Sequence, residues 1–252
     1  NEGAQRADTI LIATVGYNKL RLTSVMRDTL VDIPGHGKQK LNAAYSYGGA
    51  QLTARALNES FGLNITKYMV VDFAALADII NAIGGVEIAI TKSEQTQINQ
   101  NVQDSWKVFG QMGYSRNATH ALDLNFTNAG ADGRVTAHLD GIQALGYARI
   151  RKIDSDFTRT HRQRTLMNAA LQKFRGNFYH PLTAYRLARA LVGRLETNMN
   201  AVELASIGIK AALRPEAEQL RLPIDGSYID NGSTLTNVDF EKNREAFYEF
   251  AY

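Results

Sequence analysis

The chain has 252 residues and a formal net charge of +3 at pH 7, and 44% of it is hydrophobic. That suits a globular protein with a sizeable core, as one large domain or two small ones. Cysteine is absent, which excludes disulfides, thiol catalysis and thiolate metal sites, and no apolar run reaches the roughly 18 residues of a membrane span.

The absence of cysteine fits an extracytoplasmic bacterial protein, and no signal peptide is visible. Asn1–Arg6 reads as a boundary, with room for an anchor upstream. Asn-x-Ser/Thr sequons at Asn58, Asn64, Asn117, Asn125 and Asn231 read as chance.

In chain order, Thr9–Val15 is apolar and β-branched and reads as a buried strand. Leu20–Met26 alternates and reads as its antiparallel partner, with Tyr17-Asn18-Lys19 as the turn. Asp8 precedes the first strand and Asp28 follows the second, so the hairpin brings both to one edge beside Arg27. Two carboxylates brought together repel unless a cation lies between them. Oxygen ligands with room for water and phosphate suit Mg²⁺; the plainer reading is two strand-end aspartates, one paired with an arginine.

Leu30–Ile33 reads as a short strand closed by Pro34-Gly35-His36-Gly37. Lys38–Gly49 follows, and Gly48-Gly49 punctuates two helical pieces. Gln51–Phe61 is amphipathic and Gly62 ends it. Tyr68–Val71 reads as a strand, Asp72 as the cap of helix Phe73–Ile83, Gly84-Gly85 as its stop, and Val86–Ile90 as another strand.

Thr91–Gly130 is rich in Asn, Gln, Ser and Thr, shows no clear period and holds Trp106. It reads as an excursion without regular structure, a lid near a site or a surface insertion. Val135–Leu139 is a short strand, and Asp140 caps the helix that follows. Further helices are expected over Thr160–Phe174, Leu182–Leu195, Ala201–Leu213 and Phe240–Phe250, the last capped by Asp239. Strands are expected over Leu220–Ile224 and Ser233–Val238. This succession predicts a single α/β domain over residues 1–252, its sheet covered by helices on its faces.

Tyr147–Arg164 concentrates the basic charge. Arg149 and Arg151 are two apart and on a strand share a face. If a helix starts near Phe157, Arg159 and Gln163 share a face with Asp156 at its N-terminal lip. One strand end and one helix start could thus aim several guanidiniums at one anion, since the planar fork matches phosphate oxygens two at a time. The plainer reading is a solvated, self-neutralised helix. His161 lies about 200° around the helix from Arg159 and reads as a surface residue.

Four segments together resemble the LytR-CpsA-Psr phosphotransferases of Gram-positive cell envelopes. They are Arg6-Ala7-Asp8-Thr9; Met26-Arg27-Asp28-Thr29 running on to Lys40-Leu41-Asn42-Ala43-Ala44-Tyr45 and Gly48-Gly49; Val71-Asp72-Phe73 to Ile83-Gly84-Gly85-Val86; and Leu139-Asp140-Gly141 through Gln143-Ala144-Leu145 and Tyr147-Ala148-Arg149-Ile150-Arg151 to Asp156, Arg159, Arg162 and Gln163. The likeness covers roughly residues 6–175 well and the rest loosely. Met26 stands where the family more often has proline, and Thr91–Gly130 is outside the pattern.

The resemblance implies an α/β/α domain with a mixed central sheet, on the outer face of the cell membrane, in a single-pass protein with an N-terminal anchor. It implies transfer of a phospho-glycan, such as teichoic acid or capsule, from a polyprenyl-pyrophosphate carrier to a peptidoglycan hydroxyl, with Mg²⁺ assisting. By motif position, Asp8 and Asp28 look like the metal-linked carboxylates. Arg27, Arg149, Arg151, Arg159 and Gln163, with Arg162, look like the pyrophosphate clamp, and Asp156 like an acidic member of the site.

Phosphoryl transfer asks a protein mainly for positioning and charge stabilisation. Arginines serve there as electrostatic stabilisers, and Asp156 or Asp28 could take the proton of the acceptor hydroxyl. A hydrolase that cleaves the same pyrophosphate with water would use the same residues. A nucleic-acid regulator is disfavoured by the small net charge, by the interleaved aspartates and by the lack of a recognition-helix motif. The apolar residues of the helices would serve a lipid channel or an ordinary core alike.

Overall fold

The computed structural model describes residues 6–16, 19–111, 119–150, 156–177, 181–191, 195–213 and 217–252, with the side chains of Asp156 and Arg159 outside that description. Contacts gather the chain into two compact units, Asn1–Val70 with Thr197–Tyr252, and Val71–Glu196, where the sequence reading had one domain. Each unit has its own apolar core.

In the first unit the two apolar runs form the expected hairpin, β1 (Ile10–Val15) against β2 (Leu20–Val25), with Ile10 opposite Val25. The tip residues Tyr17 and Asn18 lie outside the described residues. A later strand, β9 (Ala217–Leu222), joins β2 in parallel, so the sheet is mixed and β2 is central. Leu20, Leu22 and Val25 are accordingly buried. Next come β3 (Leu30–Ile33), β4 (Gly37–Lys40) and α1 (Leu41–Phe61). Strand β4 is an addition to the sequence reading: the Pro-Gly-His-Gly turn returns the chain antiparallel along β3.

Helix α1 is two helical pieces, as the glycine pair foretold. Gly49 has φ 62° and ψ −156°, a conformation essentially closed to residues with a Cβ. Gly62 closes the helix in the left-handed region, its N–H donating to the Asn58 carbonyl. Two more helices belong to this unit, α7 (Ala201–Ala212) and α8 (Phe240–Ala251). Helix α7 packs on β1, and α8 on β2 and β9. Val31, Ile33, Leu57, Phe61 and Phe247 meet in this core. The short strands β10 (Ile229–Asp230) and β11 (Leu235–Thr236) pair where a single longer strand was expected.

Strands β5 (Met69–Val71) and β8 (Leu195–Thr197) lie where the chain passes between the units; Leu195 is in this strand and not in the preceding helix. The second unit is built on β6 (Val86–Thr91) antiparallel to β7 (Arg134–Leu139). Helix α2 (Phe73–Ala82) is capped by Asp72, whose carboxylate accepts from the Ala75 N–H at 2.6 Å. Helix α4 (Gly141–Ala148) opens with a capping box between Asp140 and Gln143. A Cβ on Gly141 would stand 2.1 Å from the Ala77 carbonyl oxygen, so glycine there lets α4 lie directly on α2. Helices α5 (Asp156–Asn177) and α6 (Pro181–Leu191) follow. As expected, α5 turns Leu166, Ala169, Ala170 and Phe174 to the core.

The stretch 91–130 corrects the sequence reading. Its first half is a long helix, α3 (Lys92–Gln111), packed on α4. Ile98, Val102 and Trp106 recur every fourth residue and meet the core. The polar residues that hid this period have a structural use. Asn99 donates to the Leu122 carbonyl and accepts from its N–H, both at 2.8 Å, as a paired strand would. Gln95 accepts from the Leu124 N–H, and Asn101 donates to the Gly146 carbonyl.

Candidate functional site

Extending the β1–β2 register by two residues sets Asp8 opposite Arg27. Arg27 Nη1 donates to Asp8 Oδ1 at 2.5 Å, and its Nε to Asp28 Oδ2 at 3.3 Å. A guanidinium therefore stands between the two carboxylates, the pairing of the plainer reading. A second cation, which sequence reasoning missed, completes the group: Lys40 Nζ donates to Asp28 Oδ1 at 3.0 Å. The β3–β4 hairpin places it, since Lys40 pairs with Leu30 just beyond Asp28. The Pro-Gly-His-Gly turn was the available signal.

The backbone beneath these side chains is fastened from several directions. The Met26 N–H donates to Leu222, the Leu235 N–H to the Asp28 carbonyl, and the Asn42 N–H to the Arg27 carbonyl. Thr29, fully buried, donates its hydroxyl to the Met26 carbonyl at 2.6 Å. The side chains above stay within reach of solvent: Asp8 is 46% exposed, Lys40 33%, Asp28 22% and Arg27 20%. Two anions and two cations sum to no net charge, so a phosphate that took over these donors would leave the two carboxylates to be offset by solvent or by a further cation.

The donor set suits Mg²⁺ in kind. Asp8 and Asp28 are hard oxygen ligands, and Mg²⁺ commonly takes one or two carboxylates and fills its octahedron with water and phosphate oxygens. Among the described residues no cluster of three or more His, Cys, Asp or Glu side chains could hold a metal, so these two would be the protein's share.

The other predicted residues belong to the second unit. Arg149 is not on a strand: it caps the C-terminus of α4, where a cation is favoured by the helix dipole. It is exposed, with its guanidinium carbon 5.3 Å from the centre of the Phe73 ring. Arg151 falls outside the described residues. Asp156 and Arg159 lie in the first turn of α5, which starts one residue before the expected position. Gln163 is half-buried and His161 exposed, as its helical phase suggested.

Arg162 is placed differently from the clamp expectation. It is 3% exposed, and its Nε donates to the buried Glu94 at 2.9 Å. Glu94 also accepts from Arg134 Nη1 at 3.2 Å and from the Thr91 N–H at 3.0 Å. Tyr147, 2% exposed, lies in their field. Burial raises its pKa above 10.0, Glu94 adds to the rise, and Arg162, Arg134 and the Thr165 hydrogen bond oppose it.

The LytR_cpsA_psr family model matches residues 1–250. The regulatory protein MsrR of Staphylococcus aureus is 30% identical over 260 residues, spanning 98% of this chain and 70% of MsrR. The polyisoprenyl-teichoic acid–peptidoglycan teichoic acid transferase TagU of Enterococcus faecalis is 36% identical over 173 residues, 67% of this chain and 47% of TagU. Among solved structures, TagT of B. subtilis superposes with a TM-score of 0.69 at 22% identity, covering 98% of this chain and 86% of that one. TagT bound to LIIa-WTA superposes at 0.71, also at 22% identity, over 97% of this chain and 84% of that one. These likenesses show the fold.

Proposed function

The chain belongs to the LytR-CpsA-Psr family, and from that premise we propose that it transfers a phospho-glycan, of the teichoic acid class, from a polyprenyl-pyrophosphate carrier to a peptidoglycan hydroxyl. The observation that carries the reading is the Arg27 cluster: a guanidinium and an ammonium, held by two aspartates, on fastened backbone and open to solvent.

In the proposed reaction an acceptor hydroxyl oxygen attacks the phosphorus that bears the glycan. The bond from that phosphorus to the bridging oxygen breaks, and polyprenyl phosphate leaves with the electron pair. Arg27 and Lys40 donate to the phosphate oxygens as charge moves onto the leaving group. Arg149, with Arg151, Arg159 and Gln163, is the proposed remainder of the clamp. Mg²⁺, held by Asp8 and Asp28, would add charge neutralisation and orientation. Asp28 is paired with Lys40 and Arg27, and a carboxylate held by cations is a weak base. That leaves Asp156 as the proposed base. The work site is the outer face of the membrane, where acceptor and lipid carrier meet; among the described residues no helix is long and apolar enough to cross it.

The test is incubation with a synthetic polyprenyl-pyrophosphate glycan and a peptidoglycan oligomer, with Mg²⁺ or with a chelator, read by mass spectrometry. The expected result is a phosphodiester conjugate and released polyprenyl phosphate, both lost on chelation. Glycan phosphate without conjugate would mean that water is the acceptor, and an intact donor would sink the transferase reading.

A further inference from the structure

Asn42 is a polar residue set in a buried apolar turn. It is the second residue of α1, in the first unit, beside the buried Leu41, Ala43 and Ala44, and is itself 5% exposed. Its backbone is fastened to the strand end that carries Arg27 and Asp28. The Leu41 N–H donates to the Thr29 carbonyl at 2.8 Å and the Asn42 N–H to the Arg27 carbonyl at 3.0 Å. Lys40, two residues earlier, donates to Asp28.

The Asn42 amide has no partner to match this placement. Its Oδ1 is sealed from solvent without a hydrogen bond, and among the described residues its nitrogen donates to nothing. A buried amide normally finds partners, because an unmade bond forfeits what water had supplied. For stability alone, leucine or alanine would serve better in so apolar a turn. A polar residue that breaks the local pattern with no internal compensation marks a place where function sets the choice.

The neighbouring charges indicate the ligand. Arg27 and Lys40 offer donors only, so the group they receive is an oxyanion. An asparagine side chain is short, so its partner lies close to the Arg27 peptide. We propose that Asn42 is a ligand-binding residue of this site, its amide NH₂ donating to an oxygen of the phosphate that Arg27 and Lys40 receive. Taking that phosphate to be part of a lipid-linked pyrophosphate rests on the function proposed above; the donor role does not. Two flexible cations attract any anion, whereas an amide held on a fastened backbone adds a directional bond at a fixed place and leaves the charge of the site unchanged.

Calorimetric titration with inorganic pyrophosphate, at low salt and without divalent cations, tests this, with urea unfolding run on each variant. The parent chain should bind, and Arg27→Ala should bind more weakly. Asn42→Leu should weaken binding about tenfold, the loss of one hydrogen bond, while its urea midpoint holds or rises. Asn42→Asp, nearly the same shape but anionic and without donors, should weaken it further. Asn42→Ala, which cannot overpack the turn, should match Asn42→Leu in binding. Unchanged binding in a folded Asn42→Leu protein, with Arg27→Ala impaired, would overturn the role of Asn42 and leave the function standing. A lower urea midpoint in both Asn42→Leu and Asn42→Ala would make the amide a structural group bonded to a buried water, and would overturn it as well. The expected loss of binding, in a chain that transfers no glycan, would keep Asn42 and sink the function. A parent chain that binds no pyrophosphate would overturn both.

Discussion

Arg27 in the first unit and Arg162 in the second are each held by a carboxylate, yet they work in different solvents. The side chains of Arg162 and Glu94 are 4% and 5% exposed, and Glu94 gathers donors from β7, α5 and the end of β6. Arg27 and its partners keep between 20% and 46% of their side-chain surface in water. In the interior a charge has no alternative to its partner, so the pair is a structural rivet. At the surface water competes, the pairs are weak, and the donors can be handed to a ligand. The same two residue types thus hold a fold together in one place and make a candidate site in the other.

The sharpest way to break this contrast is Glu94→Gln. It strands a buried guanidinium and should cost about 3–5 kcal/mol of stability in urea unfolding. A loss below about 1 kcal/mol would mean that Arg162 is not locked in the interior. Replacing both partners, as Glu94→Leu with Arg162→Met, should recover much of that loss. Arg27→Ala should do the reverse. Stability should move by less than about 1 kcal/mol, while transfer falls roughly 10²–10³-fold, the range for one removed transition-state donor. Unchanged transfer in a folded Arg27→Ala protein would remove the site.

Lys40→Met should have a smaller effect, lowering transfer about tenfold, because Arg27 still holds Asp28. The smallest effect concerns the dry side. Tyr147 has a folded pKa raised above its ordinary 10.0, chiefly by burial. Its contribution to stability is therefore full below pH 10 and lost as the pH rises through the folded value. Tyrosinate absorbance should show one late-titrating tyrosine, absent from Tyr147→Phe, and that variant should lose less stability between neutral and strongly alkaline pH. No late component in the parent chain would contradict the buried placement.

Parts of the site were legible because they are local. Asp8 and Arg27 face each other through one hairpin whose register follows from two apolar runs and a short turn. Lys40 required a second hairpin, signalled only by its turn residues. Helix α3 was missed because its apolar residues occupy one position in four, and the surrounding Asn and Gln suggested a loop when they in fact staple the return segment. Arg149 was assigned to a strand because its spacing from Arg151 fits period two, whereas the helix begun at Asp140 runs on to it.

The α/β class, the capped helix starts at Asp72, Asp140 and Asp239, the break at Gly48-Gly49 and the meeting of Asp8 with Arg27 and Asp28 were determined by the sequence alone, since each depends on residues near one another in the chain. Which arginines meet solvent was decided by tertiary structure. Arg162 is buried because Glu94, 68 residues earlier, lies beside it, and helical phase within a basic run carries no information about so distant a partner.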